Sequence, residues 1–341
     1  SLCVPQEISL PNQGHSIAVC EGQSRPRSTQ VRTAMALLVL AALPTAAAWL
    51  AVPSSPSTPR SEVCACARRH GSATCATYGE GMTQDDMMNK DMLILVDGAD
   101  HVSGAMSKRA AHTFDTENPR GRLHRAFSCF LFDSSGRMLL TKRASSKITF
   151  PNVWTNACCS HPLHGRTPDE VDRDGADLSM PGAKHAARRK LQHELGIEPT
   201  QVPHADFRFL SRFHYWAADV LTWGDEAPWG EHEVDYILFV QADVTLQPNP
   251  DEVDAVRYVT PAELRELLVD KSLRWSPWFV GIMERGGWDY WAELEEALKE
   301  GGRFVTNDIV FFDPPDEFKA KYNLESHTKE TGVQQLEGAV A

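Results

Sequence analysis

The feature that most limits what this chain can become is a nearly continuous apolar run from Val234 to Val244. A strand with no polar face has nowhere to meet water, so the run predicts a central strand covered on both sides. Further strands are predicted at Met92–Asp97, which turns at Gly98, and at Arg125–Asp133, Phe207–Ala217 and Ala255–Val259. Ser134-Ser135-Gly136 predicts a hairpin leading into Met138–Arg143. Helices supply the cover. Ala183, Ala187, Leu191 and Leu195 recur every fourth residue, and Gly196 stands where a left-handed cap belongs. Thr260-Pro261-Ala262-Glu263 is a capping box with proline in the first turn. Trp278–Met283 and Trp288–Lys299 read as two more helices, closed by Gly301-Gly302. The expectation is one α/β sandwich around a mixed sheet.

Composition divides the chain. Residues 1–84 are rich in Ser, Thr, Pro, Ala and Arg and hold only four acids, Glu7, Glu21, Glu62 and Glu80. The apolar run Ala34 to Val52 is broken at Pro44 and flanked by Arg32, Arg60, Arg68 and Arg69. That pattern fits a plastid transit peptide better than a secretory signal or a membrane anchor. A folded domain is expected over 85–325 and a mobile tail over 326–341. The expected location is the plastid, or the cytoplasm if the leader is absent, with no stable membrane insertion of the mature protein. Nothing in the sequence specifies an oligomeric state. A net charge of −12, from 46 acidic and 34 basic residues, argues against a general nucleic-acid binder. A small anionic substrate fits if basic groups are gathered locally. Five of the eight cysteines (Cys3, Cys20, Cys64, Cys66 and Cys75) fall in the leader and no CxxC pair exists, so free thiols in a reducing compartment are expected.

Two stretches carry chemistry. Thr155-Asn156-Ala157-Cys158-Cys159-Ser160-His161-Pro162 sets thiols beside an imidazole, and Glu231-His232-Glu233 sets two carboxylates on one face of an extended chain. With His112 and His124, residues His161, Glu231 and Glu233 offer mixed nitrogen and oxygen donors suited to one divalent ion, Mg, Mn or Zn. His161 stands two residues after Cys159, where it can tune the thiol or hold a nearby metal. A Cys-His hydrolase is an alternative, although no oxyanion hole is marked. In an acidic protein, Arg143, Lys147 and Lys190 read as seats for phosphate oxygens.

The helix ending Arg189-Lys190-Leu191-Gln192-His193-Glu194-Leu195-Gly196-Ile197 partly resembles the Nudix box, a carboxylate cluster for magnesium-dependent diphosphate hydrolysis. Gly175, Arg189, Glu194, Gly196 and Ile197 fit, but Lys190 and His193 replace glutamates and Pro181 replaces an earlier one. What survives is Glu194, one acid able to reach a single magnesium that takes its other ligands from water and substrate phosphates. Diphosphate binding without hydrolysis is expected.

Lys147-Ile148-Thr149-Phe150-Pro151, Trp154 to Pro162, Trp229-Gly230-Glu231-His232-Glu233-Val234-Asp235-Tyr236 and His124-Arg125-Ala126-Phe127-Ser128 occur in an order that closely resembles type I isopentenyl-diphosphate isomerase over roughly Met92–Met283. The resemblance implies a Nudix-like α/β/α sandwich that interconverts isopentenyl and dimethylallyl diphosphates for isoprenoid, including carotenoid, synthesis. It implies that Cys159 is the catalytic thiol and Glu231 the catalytic carboxylate, with Tyr215 nearby. The implied metal ligands are His112, His124, His161, Glu231 and Glu233, with Glu194 holding the diphosphate-bound magnesium. Lys108, Arg143 and Lys147 match diphosphate-contacting positions, and Lys190 stands where an arginine is common. Trp278 is the implied indole over which a tertiary cation is stabilised by cation–π attraction of about 2 kcal/mol. The alternatives are a Nudix diphosphohydrolase and a module that binds an isoprenoid diphosphate without turnover.

Overall fold

The computed structural model describes residues 78–173 and 178–313. Its elements run α1 (Gln84–Lys90), β1 (Met92–Val96), β2 (Val102–Ser107), α2 (Lys108–His112), β3 (His124–Phe132), β4 (Met138–Arg143), β5 (Trp154–Asn156), β6 (Cys158–Ser160), α3 (Pro181–Leu195), β7 (Arg208–Ala218), α4 (Val220–Trp223), β8 (Gly230–Gln241), β9 (Val253–Val259), α5 (Pro261–Val269), α6 (Pro277–Ile282), α7 (Trp288–Ala292), α8 (Leu294–Ala297) and β10 (Ile309–Phe312). The main path of the sheet is β10-β7-β8-β3-β1-β2. It is mixed: β3 lies parallel to β8 and β10 to β7, whereas β7 and β8 are antiparallel.

The apolar run lies where expected, in β8 between β7 and β3, but the strand begins at Gly230 and ends at Gln241. Glu231, His232 and Glu233 are strand residues 5% exposed or less, a burial that polar residues reach only by satisfying one another or an ion. Hydropathy does not reveal such partners.

The expected hairpin closes with one ladder pair, Phe132↔Met138. β4 then leaves β3 to pair with β9 and β5. The gap is bridged by residues 154–160, whose two three-residue strands pair first with β4 and then with β3. Strands so short carry no readable periodicity. At the crossover, Asn156 Nδ2 donates to the carbonyls of Cys129 and Cys158 at 3.1 and 2.9 Å, tying the bridging segment to β3. Strand alternation sends adjacent side chains to opposite layers, so Cys158 enters the core under α3 while Cys159 faces the other side.

Helices cover both faces. α3 sets Ala183, Ala187, Leu191 and Leu195 against Phe127, Leu131, Val234 and Leu238, and each buried leucine contributes about 1.5–3 kcal/mol. Its end is forced at Gly196, where φ is +63° and an added Cβ would meet Gln247 O at 2.6 Å. Its start has no local side-chain cap; Asp172 reaches in to accept from the amides of Gly182 and Ala183 at 2.7 and 2.8 Å. On the other face α6 packs Trp278, Phe279 and Ile282 against Phe130, Tyr215 and Ile237. The α5 capping box forms as expected. The helix expected over Trp288–Lys299 is instead α7 and α8, broken at Glu293 with φ −120° and ψ 49°.

The leader expected over 1–84 lies outside the described residues up to position 77, and the expected tail lies wholly outside them. Tyr78 already touches the fold: its hydroxyl donates to Asp91 at 2.6 Å and its ring stands 5.1 Å from that of His193. Among the described residues no helix is long and apolar enough to cross a membrane, and the free cysteines are Cys129, Cys158 and Cys159.

Candidate active site

Five potential ligands converge from four elements. β8 presents Glu231 and Glu233 on one face, β3 brings His124 into register with Glu233, α2 ends on His112, and His161 follows β6. One donor atom from each lies within 4.8 Å of all the others. His112 Nε2 is 2.7 Å from Glu231 Oε2, and His161 Nε2 is 2.8 Å from Glu233 Oε1. Nδ1 of His112 and of His124 each lie 2.7 Å from a backbone carbonyl, of Lys108 and Arg122, which puts the hydrogen there and turns the Nε2 lone pairs inward. His112 Nε2, His124 Nε2 and Glu231 Oε2 are fully buried with no hydrogen-bond partner of proper geometry. Inward-facing neutral imidazoles and carboxylates with orphaned donor atoms fit a divalent cation.

Burial is the largest influence on all three imidazoles and lowers their proton affinity, toward the neutral form that binds metal. The two carboxyls separate. Burial raises both, but at Glu231 the flanking His112, His124 and Lys108 outweigh it and hold the group down at about 2. At Glu233 the Glu231 charge adds to burial and pushes the group well above the usual carboxylate range.

Next to this cluster stands Cys159. Burial, then Asp235 and Glu233, push its thiol upward, so it rests protonated. Ser128, its partner across the β3–β6 ladder, sits 3.5 Å from Sγ and donates to Asp235 at 2.7 Å. Tyr215, opposite Glu233 in the β7–β8 ladder, donates to Glu233 Oε2 at 2.6 Å. Trp278 enters from α6 with its ring edge-on to Phe150. Cys159, Tyr215, Glu231, Glu233 and Trp278 line one cleft, together with Lys108, Arg143, Lys147, Lys190 and Glu194.

Residues 122–279 match the NUDIX domain. An isopentenyl-diphosphate delta-isomerase of Gibberella zeae is 46% identical over 208 residues, 61% of this chain and 78% of the relative. One of Schizosaccharomyces pombe is 43% identical over 62% of this chain and 87% of its own. The chain belongs to the isopentenyl-diphosphate delta-isomerase family. A chloroplastic delta-isomerase of Arabidopsis thaliana is 41% identical over 67% of this chain and 78% of the relative.

In this isomerase α3 carries Lys190 and His193 on the turn before Glu194. Lys190 Nζ lies 3.0 Å from Glu194 Oε1 and 3.2 Å from His193 Nδ1, so a fixed ammonium stands among the groups that would otherwise cage a metal. Burial works against its charge, but Glu194 and Glu252 outweigh burial and keep the proton on. Lys147 Nζ is 2.5 Å from Glu252, and Arg143 is anchored by donating to the carbonyls of Thr149 and Phe150 at 2.7 and 2.9 Å. Glu194 belongs to this cationic end of the cleft and not to the five-residue cluster.

The residues expected from the sequence to act as catalysts, phosphate contacts or metal ligands lie in the cleft or in the cluster beside it; Cys158 lies in the core instead, and Gly175 lies outside the described residues. Sequence reasoning missed Glu252, which no local pattern marks. It also missed Ser128 and Asp235, although positions 231, 233 and 235 share a strand face and signalled the latter.

Proposed function

We propose that the chain interconverts isopentenyl and dimethylallyl diphosphates, with Glu233 and Cys159 as the proton-transferring pair. The observation that carries the reading is one cleft lined both by a thiol, a tyrosine-bonded carboxyl and an indole and by the cations Lys108, Arg143, Lys147 and Lys190. An alkene is a very weak base, so shifting its double bond needs a positioned acid on one side and a base on the other. Glu233 gives its proton to the terminal alkene carbon, forming a C–H bond. Cys159, which rests as the thiol, first gives up its proton to water through the open cleft; the thiolate then takes a proton from the carbon across the resulting tertiary cation, so one proton enters the substrate and one leaves it. In the reverse direction the roles exchange. The Trp278 face steadies the cation without trapping it.

Sequence reasoning put the acid on Glu231. The geometry favours Glu233, because Tyr215 bonds Glu233 and because Glu233 has a carboxylate oxygen within 4.8 Å of Cys159 Sγ, whereas Glu231 is met by His112 and, at 3.4 Å, by Thr149. His112, His124, His161, Glu231 and Glu233 would hold one divalent ion, Mg, Mn or Zn; Glu194, whose Oε1 meets Lys190, would reach a magnesium only as one of its ligands, the rest coming from the substrate diphosphate and water. Such ions, when bound, supply positive charge that neutralises phosphate and carboxylate oxygens. The chloroplastic relative and the leader composition support a plastid location and a supply of precursors for longer isoprenoids such as carotenoids.

The test is incubation of the full chain with isopentenyl diphosphate and magnesium in deuterated water. Deuterated dimethylallyl diphosphate without phosphate release is the expected result. Phosphate release at or above the rate of isomer formation overturns the reading in favour of a hydrolase.

A further inference from the structure

We propose that Thr155 is a positioning residue for the Trp278 indole, setting the plane it presents to the cleft. The inference deepens the reading above, since it rests on Trp278 facing the reacting carbon. Trp278 Nε1 and Ser276 Oγ both donate to Thr155 Oγ1 at 2.9 Å, and Thr155 donates onward to Asn156 Oδ1 at 2.9 Å. A hydroxyl has two lone pairs and one hydrogen, and all are used. All four residues are 2% exposed or less, so water cannot stand in for a lost partner.

Ser276 supplies an independent sign. It is the N-cap residue of α6, yet its side chain makes no cap hydrogen bond. Serine at a helix start ordinarily accepts from the first turn. A local rule broken at a fully buried polar group marks a place where another demand prevailed, and here the hydroxyl is diverted to Thr155.

The network also reaches the strand of the thiol. Asn156 donates to Cys158 O at 2.9 Å, on the strand that carries Cys159. The segment before α6 is pinned to β5 by Trp154 N to Arg274 O at 2.8 Å and Ser276 N to Trp154 O at 3.0 Å. Indole and thiol are thus referenced to adjacent residues of one short strand. An aromatic ring is electron-rich over its face and positive at its edge, so a ring turned edge-on would repel the cation that its face attracts.

The test compares kcat and KM for Thr155→Val, Thr155→Ser, Trp278→Leu and the Thr155→Val/Trp278→Leu double variant. Thr155→Val is expected to lower kcat about 10–100-fold with KM within about threefold, and Thr155→Ser to restore most of the rate. In the Trp278→Leu background the same valine should cost less than about threefold, because the residue it acts through is gone. Equal losses in both backgrounds, or a Thr155→Val enzyme at full rate, overturn the inference. If Thr155→Val does not fold, Ser276→Ala decides: a loss of about 2–5-fold that vanishes with Trp278→Leu supports it, and no loss overturns it. A Trp278→Leu enzyme at full rate fails the reading of Trp278 itself.

Discussion

Tyr215 donates its phenolic hydrogen to Glu233 Oε2 at 2.6 Å, directly across the β7–β8 register. The bond selects one of two adjacent carboxyls. Glu233→Gln is expected to lower kcat by more than about 10³-fold and Tyr215→Phe by about 10–100-fold, both with KM little changed. Steady-state kinetics check this. If Glu231→Gln loses turnover while keeping its metal and Glu233→Gln does not, the acid is Glu231.

Cys158 and Cys159 point into different layers. Cys159→Ala should abolish isomerisation and solvent deuterium incorporation with the fold intact. Cys158→Ala should keep most of the activity and cost about 1 kcal/mol of stability, from a small cavity under α3. Thermal melts alongside product analysis separate the two.

The inward-turned imidazoles would bind metal in the folded state and not in the unfolded one. A divalent ion at a hundred times its Kd should stabilise the protein by about 2.7 kcal/mol, read as a rise in Tm that a chelator reverses. His124→Ala should weaken metal binding beyond the roughly 10–100-fold that losing an outer partner costs. Titration calorimetry gives the affinity.

Burial, partly offset by Glu252, lowers the Lys147 ammonium to about 8. Above that pH the free enzyme loses one positive charge at the diphosphate end, so kcat/KM should fall by about tenfold to a plateau while kcat holds. Lys147→Arg should remove this limb, because a guanidinium stays charged.

Burial, with Lys190 adding to it, lowers His193 to about 4 from 6.5. Between those values the unfolded chain binds a proton that the folded chain refuses, so stability should drop as pH falls through the window. The expected loss is about 1–2 kcal/mol after allowance for solvent screening at a partly covered ring. Denaturant melts at pH 7 and pH 4.5 should differ less for His193→Gln than for the parent chain.

The sequence by itself determined the layered α/β architecture, the central strand, the α3 helix with its Gly196 cap and the α5 capping box, because period, caps and apolar runs are local properties. It also assembled the residue set of the cleft, through a resemblance carried by long motifs in order. Only the tertiary structure decided which carboxyl Tyr215 meets, that Glu252 holds Lys147, and that a bridging segment of two three-residue strands sets Cys159 beside Ser128. These depend on strand register and on buried polar groups finding partners far away in the chain, from which side a group is approached and by what. Spacing along one chain carries none of that, since a shift of one residue in register exchanges every face.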